Sequence, residues 1–251
     1  MKIVTFNLRY NWCNDGINSF IHRAGMIYDK IRSVRPDVIA FQEVTPKNFE
    51  FLSTMLSDIY ELRVKYRSAD FDGEGLALAF LKGAAEPVDI EGFWLSPTPN
   101  VPGSRFPIQS DCPRIALVAL CRDLSSGRVV RICNTHLDHK SEEARELGAE
   151  LLLSRMTEAR EAFDADTVIL GDMNARPDSR VVSMFLNSKL SLSDVTSGLD
   201  ASFHGFVKKS VKIDYIFVTR GLKVKTEAKV WDDSHEGIYL SDHYPIEVDF
   251  E

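Results

Sequence analysis

The chain has 251 residues, a hydrophobic fraction of 44% and a formal net charge of -7. This composition excludes a disordered chain, and the length fits one large domain or two small ones. The acidic balance disfavours tight nonspecific binding of nucleic acid, which depends on Lys and Arg neutralising phosphates, although it leaves room for a local basic patch.

The N-terminus and the cysteines indicate a cytoplasmic protein. Residues 1–7 reach polar side chains at once and are typical of a first strand rather than of a signal peptide. No apolar run approaches the roughly 18 residues needed to cross a membrane, so we expect no membrane insertion. The cysteines Cys13, Cys112, Cys121 and Cys133 form no CxxC pair and no zinc-like spacing. We therefore predict reduced thiols in the cytoplasm and no obligate protein partner.

Predicted strands and helices alternate along the first half of the chain. Ile27 and Ile31 recur at helical spacing, and Pro36 ends that helix. Thr45 is a predicted N-cap because Pro46 occupies the first helical position after it. The pattern places strands at residues 3–6, 37–41, 76–81 and 88–94, and helices at residues 21–34 and 46–56.

The second half begins with a long loop at residues 95–113, rich in Pro, Ser, Gly and Asn. Structureless loops of this length are uncommon and often functional. A helix capped by Ser141 follows a predicted hairpin whose turn lies at 123–127. The pattern places strands at residues 115–121, 128–134, 167–170, 213–218 and 246–250, and a further helix at 179–187. Because no linker or repeat interrupts the chain, we predict a single domain of mixed strands and helices over residues 1–251.

A polar motif follows the predicted strand at 167–170. Asp172 would lie in the crevice where open sheets bind ligands, and it could ligate a metal or orient a water. Asn174 could donate an amide N–H to a phosphate oxygen. Gly, Asp and Asn are also ordinary turn residues, so a plain turn is the alternative.

A second polar motif, Asp242 and His243, precedes the closing strand. A histidine with a pKa near ~6.5 can exchange a proton at neutral pH, and an aspartate can hold it in one tautomer. Adjacent residues of an extended chain point to opposite sides, so Asp214 is a better partner for His243 than Asp242 is. An aspartate at the start of an apolar strand is costly unless it is bonded, and a structural hydrogen bond to backbone is the alternative.

Three more polar residues end predicted strands. Glu43 and Asn7 offer the oxygen ligands that Mg²⁺ prefers. His136 could stabilise the charge that grows on a phosphate in a transition state. The alternatives are a helix cap or turn for the first two residues, and a core histidine bonded to a carbonyl for the third.

Two arginines are candidates for substrate contact. Arg114 carries a guanidinium fork that matches phosphate oxygens, and Arg9 has similar standing. A surface salt bridge is the alternative for each. Lys208, Lys209 and Lys212 form a small basic cluster, which we interpret as a solvated loop rather than a nucleic-acid track.

Taken together and in order, six segments resemble the motifs of the endonuclease/exonuclease/phosphatase superfamily. They are Thr5-Phe6-Asn7, Phe41-Gln42-Glu43, Asn134-Thr135-His136-Leu137, Gly171-Asp172-Met173-Asn174, Ile213-Asp214-Tyr215 and Ser241-Asp242-His243. The resemblance implies a DNase I-like α/β fold, a four-layer α/β/β/α sandwich in which two mixed β-sheets pack face to face with helices outside. It runs from residue 3 to residue 250 and is specific for the superfamily but not for any substrate.

The resemblance also implies a metal site and a water-activating site. Asn7 and Glu43 would hold Mg²⁺, for which Mn²⁺ could substitute, and Asp242 would complete the metal or hydrogen-bond network. Asp172 would orient or deprotonate the attacking water, and Asn174 would bind the phosphate.

The two histidines have implied roles of their own. His136 would contact the scissile phosphate, and Asp214 would orient His243 as a base or charge stabiliser, while the identity of the general base stays open. The presence of His136 and the lack of a tyrosine around residues 111–114 disfavour the abasic-site endonucleases of the exonuclease III branch. The motifs look more like those of uncharacterised bacterial metal-dependent hydrolases near the deadenylase-like branch.

These motifs predict a Mg²⁺-dependent phosphoester hydrolase, a phosphodiesterase or phosphatase in which a metal-oriented water attacks the ester in line. Its partner would be a phosphoester substrate, either a small molecule or a nucleic acid. A nuclease acting on DNA or RNA is the alternative, and it would need a basic groove continuing from Arg9, Arg114 and Lys140. A catalytically silent phosphoester-binding protein is a second alternative, disfavoured because every expected catalytic residue is present.

Overall fold

The computed structural model describes residues 1–207 and 210–251. Its strands, in chain order, are β1 (Lys2–Asn7), β2 (Val38–Val44), β3 (Tyr60–Tyr66), β4 (Gly75–Leu81), β5 (Ala85–Trp94), β6 (Ile115–Asp123), β7 (Val129–His136), β8 (Asp166–Asp172), β9 (Leu192–Asp194), β10 (Asp214–Thr219), β11 (Val224–Val230), β12 (Ser234–His235), β13 (Ile238–Tyr239) and β14 (Ile246–Phe250). Its α-helices are α1 (Phe20–Val34), α2 (Pro46–Leu56), α3 (Glu142–Ala162) and α4 (Arg180–Leu186), and a short 3-10 helix spans Gly16–Asn18.

The strands form two mixed sheets. The first sheet has the order β11-β14-β1-β2-β4-β3, and the second has the order β5-β6-β7-β8-β10-β9. Strands β1 and β2 pair in parallel in the first sheet, and β7 and β8 pair in parallel in the second. The remaining neighbours pair antiparallel, and β12 with β13 forms a separate two-stranded hairpin.

Three apolar clusters separate four layers. The central cluster joins the facing sides of the two sheets, with Ile3 and Val38 from the first sheet and Ile132 and Val168 from the second. Helices α1 and α2 pack on the outer side of the first sheet, and α3 and α4 pack on the outer side of the second. Because the central strands are buried on both sides, they appear in the sequence as continuous apolar runs. The predicted α/β/β/α sandwich is confirmed.

Polar side chains begin three of the helices as N-caps. Thr45, Ser141 and Ser179 each accept a hydrogen bond from the backbone N–H three residues later, which satisfies one donor of the first turn. Pro46 then takes the first position of α2, where its missing N–H costs nothing. The predicted start and end of α2 are confirmed, and α1 begins one residue before its predicted start.

The sequence pattern predicts no strand at β3, β9 or β11, and this was wrong. Strands β3 and β11 are the two edges of the first sheet, and β9 is an edge of the second. Strand β11 is exposed along most of its length, and an edge strand of this kind carries charged residues instead of an apolar run. The long loop is confirmed, because no strand or helix lies within residues 95–114.

A buried polar bridge connects the two sheets close to the strand ends. Gln42 Nε2 donates to Asn134 Oδ1 at 2.8 Å, and Asn134 Nδ2 donates to the carbonyls of Phe41 and Ala77 at 2.9 and 3.1 Å. All four polar side-chain atoms of Gln42 and Asn134 have hydrogen-bond partners. The bridge therefore fixes the position of one sheet relative to the other. Within the described residues, no helix has both the length and the apolarity required to span a bilayer.

Candidate active site

Three site residues lie side by side across the second sheet. Strand β7 ends at His136 and β8 ends at Asp172, and these two residues are partners in the parallel ladder. Asp214 begins β10 and is the antiparallel partner of Asp172. All three side chains are buried. The row therefore follows from strand pairing, which places residues from three distant segments next to one another.

The first sheet contributes Asn7 and Glu43 to the same edge. Asn7 is the last residue of β1, and Glu43 lies where the β2 ladder shifts register between Phe41 and Val44. Glu43 has a φ of +57°, a conformation that side chains other than glycine seldom adopt. A bulge of this kind re-aims a side chain, and here it turns the Glu43 carboxylate toward Asn7.

The turn after Asp172 is held by its own side chains. The backbone N–H of Asn174 donates to Asp172 Oδ1 at 2.9 Å, and Asn174 Nδ2 donates to the Leu137 carbonyl at 3.1 Å. A Cβ at Gly171 would lie 1.9 Å from the Thr135 carbonyl oxygen, so only glycine fits there. The plain turn considered from the sequence is present, and Asn174 also lines the cleft described below.

Three side chains converge on one oxygen of Asp172. Asn7 Nδ2 lies 3.1 Å from Asp172 Oδ2, His136 Nε2 lies 3.5 Å from it, and His243 Nε2 lies 3.7 Å from it. Asn7 and Asp172 are separated by 165 residues in the chain and come from different sheets. The candidate site is therefore built across the seam between the two sheets.

His243 pairs with Asp214, as predicted. The distance from His243 Nδ1 to Asp214 Oδ2 is 2.8 Å, and both side chains are buried. Burial opposes the charged form of His243, but the Asp214 carboxylate and its hydrogen bond raise the pKa of His243 overall. Burial, and then the charge of Asp214, raises the pKa of Asp172. His136 differs, because burial and the charge of Arg114 lower its pKa well below the ordinary value.

The oxygen-rich side chains of the cluster suit a hard cation. Asn7 Nδ2 contacts Glu43 Oε1 at 3.1 Å, and the other Glu43 oxygen accepts the backbone N–H of Tyr10 at 2.9 Å. Single ligand atoms of Asp172, Asp214 and His243 lie within 4.8 Å of one another. Carboxylates and an amide are the ligands that Mg²⁺ and Mn²⁺ take. The donor set therefore fits such an ion.

Asp242 and Arg9 contact each other at the edge of this cluster. Arg9 Nε lies 3.6 Å from Asp242 Oδ2 and 3.2 Å from Asp15 Oδ2. Asp242 is therefore directed to Arg9, whereas Asn7 and Glu43, its partners in the predicted metal set, contact each other directly. Arg9 therefore forms salt bridges with Asp15 and Asp242, as the alternative to substrate contact predicted.

Arg114 is buried, so the surface salt-bridge alternative was wrong for this residue. Its side chain is 4% exposed, and its NH2 lies 3.0 Å from His139 Nδ1. Its Nε lies 3.9 Å from Asp138 Oδ2 and has no hydrogen-bond partner in the described part of the chain. Arg114 contributes to the floor of the cleft together with Arg67, whose NH2 pairs with Glu74 Oε1 at 2.8 Å.

Several of these residues were not predicted from the sequence. Arg67 and Glu74 belong to none of the motifs, and Arg23 is a fully buried arginine on α1 that was not identified as a candidate. Arg23 donates to backbone carbonyls of Leu8 and Leu240 at 3.0 and 2.6 Å, so it ties together the segments that follow β1 and precede His243. The signal available in the sequence was its spacing, because Arg23 lies four residues before Ile27 and eight before Ile31, on the apolar face of the predicted helix.

The prediction of a solvated loop for the basic cluster was wrong for Lys212. Lys212 is 4% exposed, its Nζ lies 2.6 Å from Asp194 Oδ2, and it sits over the ring of Tyr215. Lys208 and Lys209 lie outside the described residues. A lysine that loses its hydration in this way is held by its buried ion pair.

The site residues open into a cleft of about 550 Å³. This volume lies within the roughly 300–1,000 Å³ range of small-molecule sites. One side of the cleft is acidic, and another carries the two arginines. The lining residues are Arg9, Tyr10, Asp15, Glu43, Arg67, Glu74, Cys112, Arg114, His136, His139, Asp172, Asn174, Phe203, Gly205, Phe206, Ile213, Asp242 and His243.

Comparisons with known proteins place this architecture in a wider context. The sequence profile of the Endonuclease/Exonuclease/phosphatase family matches residues 4–243. No curated protein sequence matches the chain. The crystal structure of an endonuclease/exonuclease/phosphatase from Bacteroides vulgatus is 29% identical, with a TM-score of 0.91 and coverage of 100% of this chain and 98% of that one.

Two more distant structures share the fold. A mannosyl-6-phosphatase from Bacteroides thetaiotaomicron is 23% identical, with a TM-score of 0.88 and coverage of 100% of this chain and 99% of the other. The human Nocturnin catalytic domain with bound sulfate is 20% identical, with a TM-score of 0.80 and coverage of 100% and 94%. At these identities the likeness concerns the fold alone.

Proposed function

The chain belongs to the Endonuclease/Exonuclease/phosphatase family, and from that premise we propose that it is a divalent-metal-dependent hydrolase of phosphate esters. The observation that carries the proposal is the convergence of Asn7, His136 and His243 on one buried oxygen of Asp172. A buried carboxylate surrounded by donors is suited to hold a water for attack on a phosphoryl group. We propose that residues 1–251 act as one catalytic domain.

The metal would be held at the end of β1 and β2. Glu43 would be a direct ligand, Asn7 would supply a neutral oxygen, and Asp242, which contacts Arg9, would complete the metal or hydrogen-bond network at the edge of the site. When bound, Mg²⁺ or Mn²⁺ would polarise the phosphoryl oxygen and offset charge on the leaving oxygen. The supporting observation is the hard-oxygen donor set, because such ions prefer carboxylate and amide oxygens to softer ligands.

Asp172 would orient the attacking water and accept its proton. Its Oδ1 is fixed by the backbone N–H of Asn174, which leaves Oδ2 facing the other site residues. Asn174 keeps one amide hydrogen for a phosphate oxygen, since the other is bonded to the Leu137 carbonyl. His136, which is buried beside Asp172, would donate to the scissile phosphate and stabilise its developing charge.

Asp214 would position His243. The 2.8 Å contact at Nδ1 directs the opposite ring nitrogen toward Asp172 and Asn7. An aspartate that fixes the tautomer and orientation of a histidine has the same physical role in other hydrolases. His243 would then stabilise the in-line arrangement of water, phosphate and leaving group.

A small-molecule phosphoester is the substrate class that the cleft supports best. Its volume suits a sugar- or nucleoside-sized group, and Tyr10, Phe203 and Phe206 line it. A fold relative from Bacteroides thetaiotaomicron is a mannosyl-6-phosphatase. A nuclease would need Arg9 and Arg114 on an open basic groove, whereas Arg9 is paired with acids and Arg114 is buried.

The proposal is tested with the full chain, stripped of metal by EDTA and then supplied with Mg²⁺ or Mn²⁺. The substrate panel contains p-nitrophenyl phosphate, bis-p-nitrophenyl phosphate, sugar phosphates, inositol phosphates, single- and double-stranded DNA, and RNA. The Asp172→Ala, His243→Ala double variant is the blank for contaminating activity. We expect metal-dependent turnover of small esters above that blank, with little cleavage of nucleic acid.

A Glu43→Gln variant tests the metal assignment separately. We expect it to need a higher Mg²⁺ concentration for half-maximal rate, because it loses one negative charge from the ligand set. Full activity in excess EDTA would remove the metal-dependent mechanism. Metal-dependent cleavage of DNA or RNA above the blank would establish the nuclease alternative instead.

A further inference from the structure

A small recess opens from the floor of the cleft beside His136. Its volume is about 10 Å³, which is about the size of one water molecule. Glu43, Arg67, Glu74, Arg114 and His136 line both this recess and the larger cleft, so the recess is a side pocket of the candidate site. The residues that line the recess but not the larger cleft are Gly75, Leu76, Pro113 and Ile115.

Arg114 is the charged residue of the recess with the fewest partners. Only 4% of the surface of Arg114 is exposed. Of its five N–H hydrogens, the described residues account for one contact, that of NH2 with His139 Nδ1. The Nε group has no partner within hydrogen-bond distance in the described chain, although Asp138 Oδ2 lies 3.9 Å away. A buried guanidinium with free donors is costly unless an anion completes its bonding.

The other charges around the recess are accounted for. Glu74 accepts from Arg67 at 2.8 Å, so these two residues form an ion pair. Glu43 faces Asn7 and the proposed metal position. His136 carries no charge at neutral pH because burial and neighbouring cations disfavour its protonation. Asp138 Oδ2 lies 3.9 Å from Arg114 Nε without a hydrogen bond between them, so within the described residues the Arg114 guanidinium is the group of the recess with donors left for an added anion.

Size and charge together select one kind of ligand atom. A volume of about 10 Å³ admits one oxygen atom but not the first carbon of an ester group together with the chain that follows it. The atom that enters must also carry negative charge, because it meets a guanidinium donor. A free phosphoryl oxygen meets both conditions, whereas an esterified oxygen meets neither.

We propose that this recess receives a third, unesterified oxygen of the substrate phosphate, so that the chain acts on phosphate monoesters rather than diesters. A monoester has three free oxygens and carries about two negative charges at neutral pH, whereas a diester has two free oxygens and one charge. Two of the three oxygens face Asn174, His136 and the metal position, and the third enters the recess beside Arg114. The inference rests on the proposed hydrolase function and names its substrate class.

Binding provides a test that does not depend on turnover. Methyl phosphate and dimethyl phosphate are titrated calorimetrically into the full chain with Mg²⁺ present. We expect methyl phosphate to bind at least about tenfold more tightly, since one charge-assisted hydrogen bond contributes roughly that ratio. Kinetics with p-nitrophenyl phosphate and bis-p-nitrophenyl phosphate should give the same order in kcat/KM.

Two variants test the residues of the recess. Arg114→Lys keeps the charge but removes the planar fork, and an Arg67→Met, Glu74→Gln double variant removes one ion pair without leaving an unpaired carboxylate. Arg114→Lys should lose about tenfold or more in affinity for methyl phosphate and change little toward dimethyl phosphate. The double variant removes a pair whose charges already cancel, so it should keep the preference for methyl phosphate. Arg63→Met is the matched control, because Arg63 is an exposed arginine on β3 that pairs with Glu61 at the surface.

The outcomes separate this inference from the proposed function. Equal binding of the two esters, or an equal loss for both esters in Arg114→Lys, would overturn the monoester inference even if the chain hydrolyses esters. Selective binding of methyl phosphate that Arg114→Lys removes and the double variant keeps, without turnover of any ester, would support the recess and reject the hydrolase. A preference for the monoester that Arg63→Met also removes would show a general charge effect and overturn the assignment to the recess.

Discussion

Two sides of one cleft are built on different principles. The carboxylate wall consists of Asn7, Glu43, Asp172, Asp214 and Asp242. Hydrogen bonds join Asn7 to Glu43 and to Asp172, and His243 to Asp214, while Asp242 contacts Arg9. The arginine wall, formed by Arg67, Arg114 and His139, has fewer internal bonds, and Arg114 Nε has none within the described residues. The first wall holds its groups in fixed positions, and the second keeps donors ready for an added anion.

The two walls also differ in where backbone strain and unbonded donors lie. Three non-glycine residues with a positive φ lie on or beside the carboxylate wall: Arg9, Glu43 and Asn174. Such conformations persist only where surrounding contacts hold them. The arginine wall shows an unpartnered buried donor instead of backbone strain. The proposed cation site would then lie beside an incomplete anion site, which is the arrangement that a metal-bound phosphoester requires.

The largest expected effect comes from Asp172→Asn, which breaks the centre of the carboxylate wall. The amide cannot accept a proton from water, so we expect kcat to fall by about 10³ with little change in KM. The measurement is steady-state hydrolysis of p-nitrophenyl phosphate with saturating Mg²⁺. Asp178→Asn is the matched control, since Asp178 is exposed on the following loop. Activity that survives in Asp172→Asn would contradict its role as base.

Asp214→Asn should have the next largest effect, because it acts on the same wall through His243. The variant keeps the size of the side chain but loses the charge that orients the imidazole. We expect kcat to fall by roughly 10², and circular dichroism should show whether the fold persists. A kcat equal to that of the wild type would mean that the 2.8 Å pair is only structural.

Arg23→Lys tests the support behind the carboxylate wall. The lysine keeps the charge but cannot reach the Leu8 and Leu240 carbonyls together with that of Asn18. We expect the free energy of unfolding to fall by about 2 kcal/mol, because buried carbonyls lose their donors. Urea unfolding measures this change.

A matched control for that test lies on the same helix. Arg32→Lys changes an exposed pair with Asp58, and such pairs contribute little to stability. Equal unfolding free energies for the two variants would show that Arg23 does not brace the segments around the site.

The smallest expected effect concerns Asp138, which supports the arginine wall. Burial opposes its charge, but hydrogen bonds from Ser110 and from the backbone N–H groups of Ser141 and Lys140 lower the pKa of Asp138 overall. A lowered folded pKa adds stability above the ordinary value of about 3.9, and this stability is lost as pH falls through the lower folded pKa.

Asp138→Asn should therefore reduce the unfolding free energy by about 1.5 kcal/mol at pH 7. The difference between the wild type and the variant should be smaller at about pH 3 than at pH 7, because the stabilising charge of Asp138 is progressively lost below the ordinary pKa of about 3.9. Urea unfolding at the two pH values checks the sign, with the exposed Asp164→Asn as control. A difference that stays constant with pH would show that the charge of Asp138 does not contribute.

Much of the centre of the fold was predictable because burial leaves a pattern in the sequence. The apolar runs of β1, β2, β4, β6, β7 and β8 are buried on both sides, and each was predicted. The caps Thr45 and Ser141 were predicted from local hydrogen-bonding rules. The edge strands β3 and β11 were missed, because they are partly exposed and carry charges in place of a continuous apolar run.

The sequence by itself determined the central strands and the strand-end motifs, because these depend on local patterns and on residue types at fixed positions. The resemblance of those motifs to the superfamily implied the family and the α/β/β/α architecture. The tertiary structure alone decided that His136, Asp172 and Asp214 lie in one row, that Arg23 braces two segments from behind, and that Arg67 and Arg114 line a recess. Those relations join residues far apart in the chain through strand register and packing. A linear pattern records which residues are buried, but it does not record which distant residue each one meets.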